Sequence, residues 1–390
     1  MDNAFIPLSV PNLKGNEIKY VTDAIETEWV STAGPYVSKF EEQTAAYVKT
    51  KGAVACQNGT SGLHISLLLT GVTSDVAVFV PTLTFIAAVN PVRYIGATPI
   101  FMDCDDSLCL DPIKLERYCN EECQFEDGKL IDKDSKKHIK AIVVVHVFGN
   151  IADMEEIMRI ANKYNLKVVE DATEALGSYY TSGKYAGKYA GTIGDMGVYS
   201  FNGNKIITTG GGGMIVSENE EYLKRAKHLT TQAKSDEVNF LHDEVGYNYR
   251  MTNLQAAMGL AQLEQLNDFI NTKESNYQIY RTKFENSGYV LLDVRSDIRS
   301  NRWFYALSCD NSGVNRDELI NFLSSKKVQT RPIWGLIHEQ IPYVNEKAYM
   351  IEKAIFYRER IINIPCSTNL AETDAEKVAE LIIKYKNDMC

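Results

Sequence analysis

Three places in this 390-residue chain carry residue types that could do chemistry. The first is Lys205, which ends the stretch Tyr199-Ser200-Phe201-Asn202-Gly203-Asn204-Lys205 and is followed, after Ile206 to Thr209, by Gly210-Gly211-Gly212-Gly213. Four successive glycines lose much backbone freedom on folding, so the run implies that the backbone closely approaches something. Most lysines are solvated charges, but one buried among apolar or cationic neighbours can lose its proton and attack a carbonyl carbon to form a Schiff base. The second place is Asp171 in Val168-Val169-Glu170-Asp171-Ala172, an acid at the carboxyl end of an apolar run. In an open α/β sheet that edge is where ligands sit, although an aspartate there serves equally well to cap the next helix. The third is Asn58-Gly59-Thr60-Ser61-Gly62, between a strand pattern and a helix pattern. Free N–H groups and two hydroxyls at a helix start favour a phosphate, and the plainer reading is an N-cap. Taken together, an anion cradle, an amine and a carboxylate meet the three demands of pyridoxal 5'-phosphate: its phosphate, its aldehyde, and a ring nitrogen that must stay protonated to act as an electron sink.

The elements that must position these residues follow from the apolar patterning. Short β-branched runs at 53–56, 76–80, 99–102, 141–146, 167–170, 197–201 and 213–216 read as buried strands, with helix patterns between them at 61–69, 85–94 and 154–164. Such alternation predicts an α/β fold with a large, mostly parallel central sheet covered by helices on both faces. After Thr252 the pattern changes. Residues 253–280, with Leu254, Ala257, Leu260, Leu263 and Leu266 at helical spacing, read as one long amphipathic helix or two in sequence. Strands at 303–309 and 328–331 and helices at 316–326 and 374–386 then make a smaller α+β unit. The expected division is a large cofactor-binding domain over 1–255 and a linking helix with a small domain over 256–390. The polar segment 124–138 reads as a surface hairpin or loop.

Composition excludes several classes. The chain is 45% hydrophobic and 24% charged, ordinary for a globular protein, and its 41 Lys+Arg against 51 Asp+Glu give a net charge of -10. Such a surface repels nucleic acid and anionic lipid, so no partner of either kind is expected and any anionic ligand must be held locally. The most apolar stretch, 76–92, is broken by Pro81, Asn90 and Pro91. Met1 to Ile6 has no signal-peptide pattern, and the expected location is the cytoplasm. Eight cysteines suit reduced thiols, and the spacing of Cys104, Cys109, Cys119 and Cys123 lacks the paired knuckles of a zinc site, so no metal is expected.

These residues resemble a known family, the DegT/DnrJ/EryC1/StrS sugar aminotransferases of the fold-type I pyridoxal phosphate superfamily. The resemblance runs nearly end to end, through Gly34-Pro35-Tyr36-Val37, Asn58-Gly59-Thr60-Ser61, Pro81-Thr82-Leu83-Thr84-Phe85, Glu170-Asp171-Ala172, Ser200-Phe201 with Lys205, Gly246-Tyr247-Asn248-Tyr249-Arg250-Met251, and Arg331-Pro332 with Trp334. It implies that Lys205 binds the cofactor covalently and shuttles the proton, and that Asp171 pairs with the ring nitrogen. Gly59, Thr60, Ser61 and Ser200 would hold the phosphate, Phe85 would stack on the ring, and Glu174 would lie on the cofactor's O3' side. Asn248 would reach the phosphate of the neighbouring subunit, which implies a homodimer with shared sites. Many members carry Gln or His at the position of Glu174, and an acid beside the glycines that here run from Gly210 to Gly213.

The implied reaction passes an amine from L-glutamate, through the pyridoxamine 5'-phosphate form of the cofactor, to a nucleotide-linked 4-keto-6-deoxy sugar. Ser300-Asn301-Arg302-Trp303 and the residues around Lys205 look most like enzymes of the bacillosamine and legionaminic acid routes, which makes a UDP-linked 2-acetamido-4-keto-2,6-dideoxy-hexose the expected acceptor. The alternatives are a GDP-linked acceptor of the legionaminic acid or perosamine type, and a non-catalytic regulator that keeps the fold. Relatives that dehydrate the sugar replace the lysine with histidine. Arg302 and Arg331 are expected diphosphate or substrate contacts, because an arginine fork matches phosphate geometry, with ion pairing as the plain alternative.

Overall fold

The computed structural model describes residues 4–389; positions 1–3 and 390, at the outer ends of the two expected domains, lie outside them. Runs rich in valine, isoleucine and alanine form one ten-stranded sheet. Its strands are β1 (Gly52–Cys56), β2 (Val76–Pro81), β3 (Thr98–Met102), β4 (Cys123–Glu126), β5 (Lys129–Asp132), β6 (His138–Val145), β7 (Lys167–Asp171), β8 (Met196–Ser200), β9 (Gly213–Ser217) and β10 (Ala348–Tyr349). The spatial order is β1-β9-β8-β7-β6-β2-β3-β10, with the hairpin β4–β5 attached to β6. From β8 to β10 along this order the neighbours are parallel; β9 runs against both β8 and β1, and the β4–β5 hairpin is antiparallel within itself and to β6. Strand β2 is buried along its whole length, as both faces of a parallel sheet require.

This order makes β1, β2, β6, β7 and β8 end at one edge, so the segments after them converge there, and the glycine run enters β9 from the same side. The close approach that the glycines imply is found at Gly213, paired with Cys56 across β1 and β9. A Cβ on Gly213 would lie 2.6 Å from the carbonyl carbon of Asn58 and 2.8 Å from the Gly59 nitrogen.

Packing separates two cores. The larger includes Phe79, Val144, Val169, Val198 and Ile215; the smaller includes Tyr277, Tyr280, Tyr305, Leu319, Ile362 and Ile382 around a four-stranded antiparallel sheet. Several contacts cross the expected division into 1–255 and 256–390: β10 pairs with β3 of the large sheet, residues 298–299 pair with 179–180, and Ile6 joins the smaller core and bridges to Val328. Some elements differ from the sequence reading, and one left open there is decided. The helix expected over 85–94 is a 3-10 turn (Ile86–Ala88) followed by a helix (Asn90–Tyr94), because Pro91 has no N–H to continue a helix from Phe85. The pattern over 253–280 is two helices, Asn253–Leu263 and Leu266–Phe284. They break where Gln262 and Gln265 both turn their amides to the buried Glu17 carboxylate. The strand expected over 303–309 starts at Tyr305, because Arg302 adopts a left-handed backbone (φ 51°).

The glycine run yields a direct test. Gly213→Ala should lower stability by about 1–3 kcal/mol, since the new methyl meets main chain that cannot rotate away. Gly203→Ala, with nothing within 4 Å of the new carbon, should stay within about 0.5 kcal/mol of wild type. Equal losses in denaturant titrations of the two variants would contradict the close approach.

Candidate active site

A cavity of about 260 Å³ opens at the carboxyl edge of the sheet. Asn58, Gly59 and Thr60 reach it from the end of β1, Thr84 and Phe85 from β2, Asp171, Thr173 and Glu174 from β7, and Ser200, Asn202, Asn204 and Lys205 from β8. Gly211 and Gly212 form part of the floor, and Trp303, Phe304 and Trp334 come from the far side.

The cradle begins with Asn58. Its side chain, rather than a hydroxyl of Thr60 or Ser61, caps the helix Gly59–Leu69 by accepting the Ser61 N–H at 2.8 Å. That use of Ser61 leaves the N–H groups of Gly59 and Thr60 at the open helix end, beside the cavity both residues line. A side chain on Gly59 would crowd the site, because its Cβ would lie 3.0 Å from Thr173 Cγ2 and 3.1 Å from Ser200 Cβ. Gly59, Thr60 and Ser200 therefore form a tight concave corner suited to a phosphate.

Lys205 has a side chain only 13% exposed. Its Nζ lies 3.8 Å from Glu174 Oε1 and 4.1 Å from the centre of the Trp303 ring. Burial lowers its proton affinity, while the negative charges of Glu174 and Asp171 raise it. The Glu174 carboxyl is pushed up to about 7, chiefly by burial, with Lys205 and the Phe148 N–H pulling the other way. That N–H reaches Glu174 Oε2 at 2.9 Å. Burial also raises Asp171, against the hydroxyl and N–H of Thr173; the latter reaches Asp171 Oδ1 at 3.1 Å. A buried carboxylate gains from a cationic partner, and a protonated ring nitrogen would be one. The residues present thus fit pyridoxal 5'-phosphate: cradle, acid and amine face one space.

Seven of the expected site residues line this cavity: Gly59, Thr60, Phe85, Asp171, Glu174, Ser200 and Lys205. Phe85 is 56% exposed at its rim. Ser61 is buried outside the lining, and Asn248 is exposed, bridged to Thr231, and outside it as well. Arg331 is exposed, and its guanidinium donates to the carbonyl oxygen of Thr330. Arg302 departs from the expected phosphate contact. It is 8% exposed, donates to Glu274 Oε2 at 2.9 Å and Asp293 Oδ1 at 2.8 Å, and stacks on Tyr277. With its Nε and Nη1 donating to carboxylates, it is held in an internal ion-pair network. The four clustered cysteines, Cys104, Cys109, Cys119 and Cys123, are buried free thiols whose proton affinity burial raises.

Two supports were missed in the sequence. His146 Nδ1 accepts the Ala152 N–H at 3.2 Å, so its Nε2 carries a proton and donates to Glu170 at 2.8 Å. Glu170 also accepts the N–H groups of Gly191, Ile193 and Gly194, which fixes the strand end bearing Asp171. Asn301 donates to the carbonyl oxygens of Glu174 and Leu176, each at 2.9 Å, and accepts the Trp303 N–H. No local pattern marks either support, because each joins segments distant in the chain.

Comparison with known proteins agrees with this geometry. The profile of the DegT/DnrJ/EryC1/StrS aminotransferase family matches residues 11–383. The chain is 38% identical over 384 residues to the GDP-perosamine synthase of Escherichia coli O157:H7, covering 98% of this chain and 99% of that one. It is 34% identical over 377 residues to the GDP-perosamine synthase of Caulobacter vibrioides (strain ATCC 19089 / CIP 103742 / CB 15), covering 96% of each. Among solved structures, DesI in the presence of its TDP-sugar product superposes with a TM-score of 0.86 at 25% identity, covering 99% of this chain and 94% of that one.

The charge pattern predicts how the cofactor-free protein responds to pH. Glu174 in the folded protein keeps its proton up to about 7, against an ordinary value of 4.5, so the folded state binds the proton more tightly than the unfolded. Its contribution is fully present below about 4.5 and is lost as pH rises through about 7. Glu174→Gln removes this loss. Thermal melts should show the variant gaining on wild type between pH 5 and pH 8, by up to roughly 3 kcal/mol. A constant difference across that range would contradict the raised proton affinity.

Proposed function

The chain belongs to the DegT/DnrJ/EryC1/StrS aminotransferase family, and we propose that it transfers an amino group from L-glutamate to C4 of a GDP-linked 4-keto-6-deoxy sugar. It is a pyridoxal phosphate-dependent aminotransferase of the nucleotide-sugar type. The GDP-linked acceptor replaces the UDP-linked 2-acetamido sugar as the preferred reading because two relatives matched nearly end to end, at 38% and 34% identity, are GDP-perosamine synthases. The observation that carries the reading in this chain is Lys205, whose Nζ is held 3.8 Å from Glu174 in the cavity that Asp171 and the cradle also line.

Gly59, Thr60 and Ser200 would take the cofactor's phosphate, Asp171 its ring nitrogen, Phe85 its ring face and Glu174 its O3' side. When bound, the cofactor supplies an aldehyde that takes up the donor's amine and a ring that stores the electron pair released at the donor's Cα. Lys205 is the mobile base: its Nζ removes the donor's Cα proton, and in the return half it delivers a proton to C4 of the sugar. Burial lets Lys205 exist as the neutral amine that the first step needs. Asp171, ionised beside a ring cation, keeps the ring nitrogen protonated. The walls of Trp303, Phe304 and Trp334 limit water at the reacting atoms.

Asn248 and its neighbours support a shared site in a dimer. Asn248 is exposed outside its own chain's cavity, and the nearby Val238, Phe240, Leu241 and Val245 expose more than half of their surface. A second copy seated on them would carry Asn248 towards that copy's phosphate cradle. Among the described residues no helix is long and apolar enough to cross a membrane.

Two outcomes are expected. Asp171→Asn should retain the cofactor but turn over about 10²–10³ times more slowly, since a neutral amide cannot hold the ring nitrogen protonated. Turnover within a few-fold of wild type would remove that role. With glutamate as donor, kcat/KM should be higher for the GDP-linked 4-keto-6-deoxy sugar than for the UDP-linked 2-acetamido sugar. The reverse order would restore the acceptor inferred from sequence and leave the aminotransferase reading intact.

A further inference from the structure

Lys273, on the helix Leu266–Phe284, is a buried lysine that the steps above do not use. It is 2% exposed, and among the described residues no carboxylate pairs with it. Its Nζ donates to two main-chain carbonyl oxygens, those of Trp303 at 3.0 Å and Cys366. The Cys366 thiol and the Tyr305 ring, whose centre is 5.8 Å away, also lie beside it. An ammonium buried without an anion is costly, and a methionine of similar length would fill the same space more cheaply. What the lysine holds must therefore matter.

It holds Trp303. The Trp303 N–H donates to Asn301 Oδ1 at 2.9 Å, the indole Nε1–H donates to the carbonyl oxygen of Asn204 at 2.8 Å, and the carbonyl oxygen accepts from Lys273. The last of these ties comes from a buried amine on a helix distant in sequence from both Trp303 and Asn204. The indole face then covers Lys205 Nζ at 4.1 Å, and its Nε1–H grips the residue just before Lys205. The helix end of the strut is also fixed, since the Tyr305 hydroxyl donates to the Lys273 carbonyl oxygen at 2.6 Å.

We propose that Lys273 is a positioning residue for the transfer reaction: it seats Trp303 so that the indole shields Lys205 from water and thereby sets how readily Lys205 releases its proton. The inference rests on Lys205 being the reactive lysine. The groups facing Lys205 are Glu174, Asp171 and the Trp303 ring; burial acts against the two acids. Loosening the ring removes its attraction for the ammonium but also admits water, and the weakened burial contribution, the largest one acting on Lys205, dominates, so Lys205 should hold its proton more tightly.

The test mixes cofactor-free protein with pyridoxal 5'-phosphate and follows, across pH, the rate at which the visible band of the lysine-bound cofactor appears. In Lys273→Met the midpoint of that profile should move up by about half a unit or more, while kcat falls several-fold with KM for glutamate unchanged. Lys273→Gln, whose shorter side chain keeps an amide NH2 as donor, should lie between. Trp303→Phe leaves Lys273 in place and must shift the midpoint in the same direction. A folded Lys273→Met with the wild-type midpoint, or a Trp303→Phe without the shift, overturns the proposal, and the second result decides it even if the Lys273 variants do not fold. A visible band that still forms in Lys205→Ala would instead place the fault with the reading of Lys205.

Discussion

The confinement of one lysine and two carboxylates in a single water-poor cavity is the constraint around which the rest of the structure is arranged. Lys205, Glu174 and Asp171 are all largely buried, and burial pushes each toward its neutral form. Ionised together they would leave an uncompensated negative charge in a medium that screens poorly. A ligand with a protonated aromatic nitrogen meets that charge, and one with a phosphate fills the adjacent corner of Gly59, Thr60 and Ser200. The site is most at odds with itself when it holds only protein, and this selects the chemistry of what binds.

The fold serves this arrangement by rigidity. Asp171 ends a strand hydrogen-bonded on both sides, and the acid before it, Glu170, is held by three backbone N–H groups and His146. Gly213 lets β9 press against the Asn58–Gly59 turn, which holds the helix end in place without a side chain between them. The smaller core lies behind Trp303, and through Lys273 it bears on the one group that must move a proton. Packing far from the cavity is thus tied to chemistry inside it by a short chain of hydrogen bonds.

Much of this was legible in the sequence because its signals are local. Seven buried strands, the glycine run, Lys205, Asp171 and the turn at Asn58 each announce themselves by residues that are neighbours in the chain, and the sheet order then gathers them at one edge. What was not legible depends on distant partners. Arg302 has the right chemistry for a phosphate, yet Glu274 and Asp293 claim it from other segments. The cap at the cradle is Asn58 rather than a hydroxyl, a choice decided by backbone angles that the composition of the turn leaves open. Trp303 and Asn204 are 99 residues apart, so nothing in either stretch hints that one covers the lysine next to the other.

The central claim is that Lys205 is the single amine to which the cofactor is joined. Reducing the holoenzyme with borohydride, digesting it and mapping the pyridoxyl group by mass spectrometry tests this most directly. The account predicts one modified peptide, carrying the label on Lys205. A label on another lysine, or a holoenzyme with the visible band but no labelled Lys205, would contradict it.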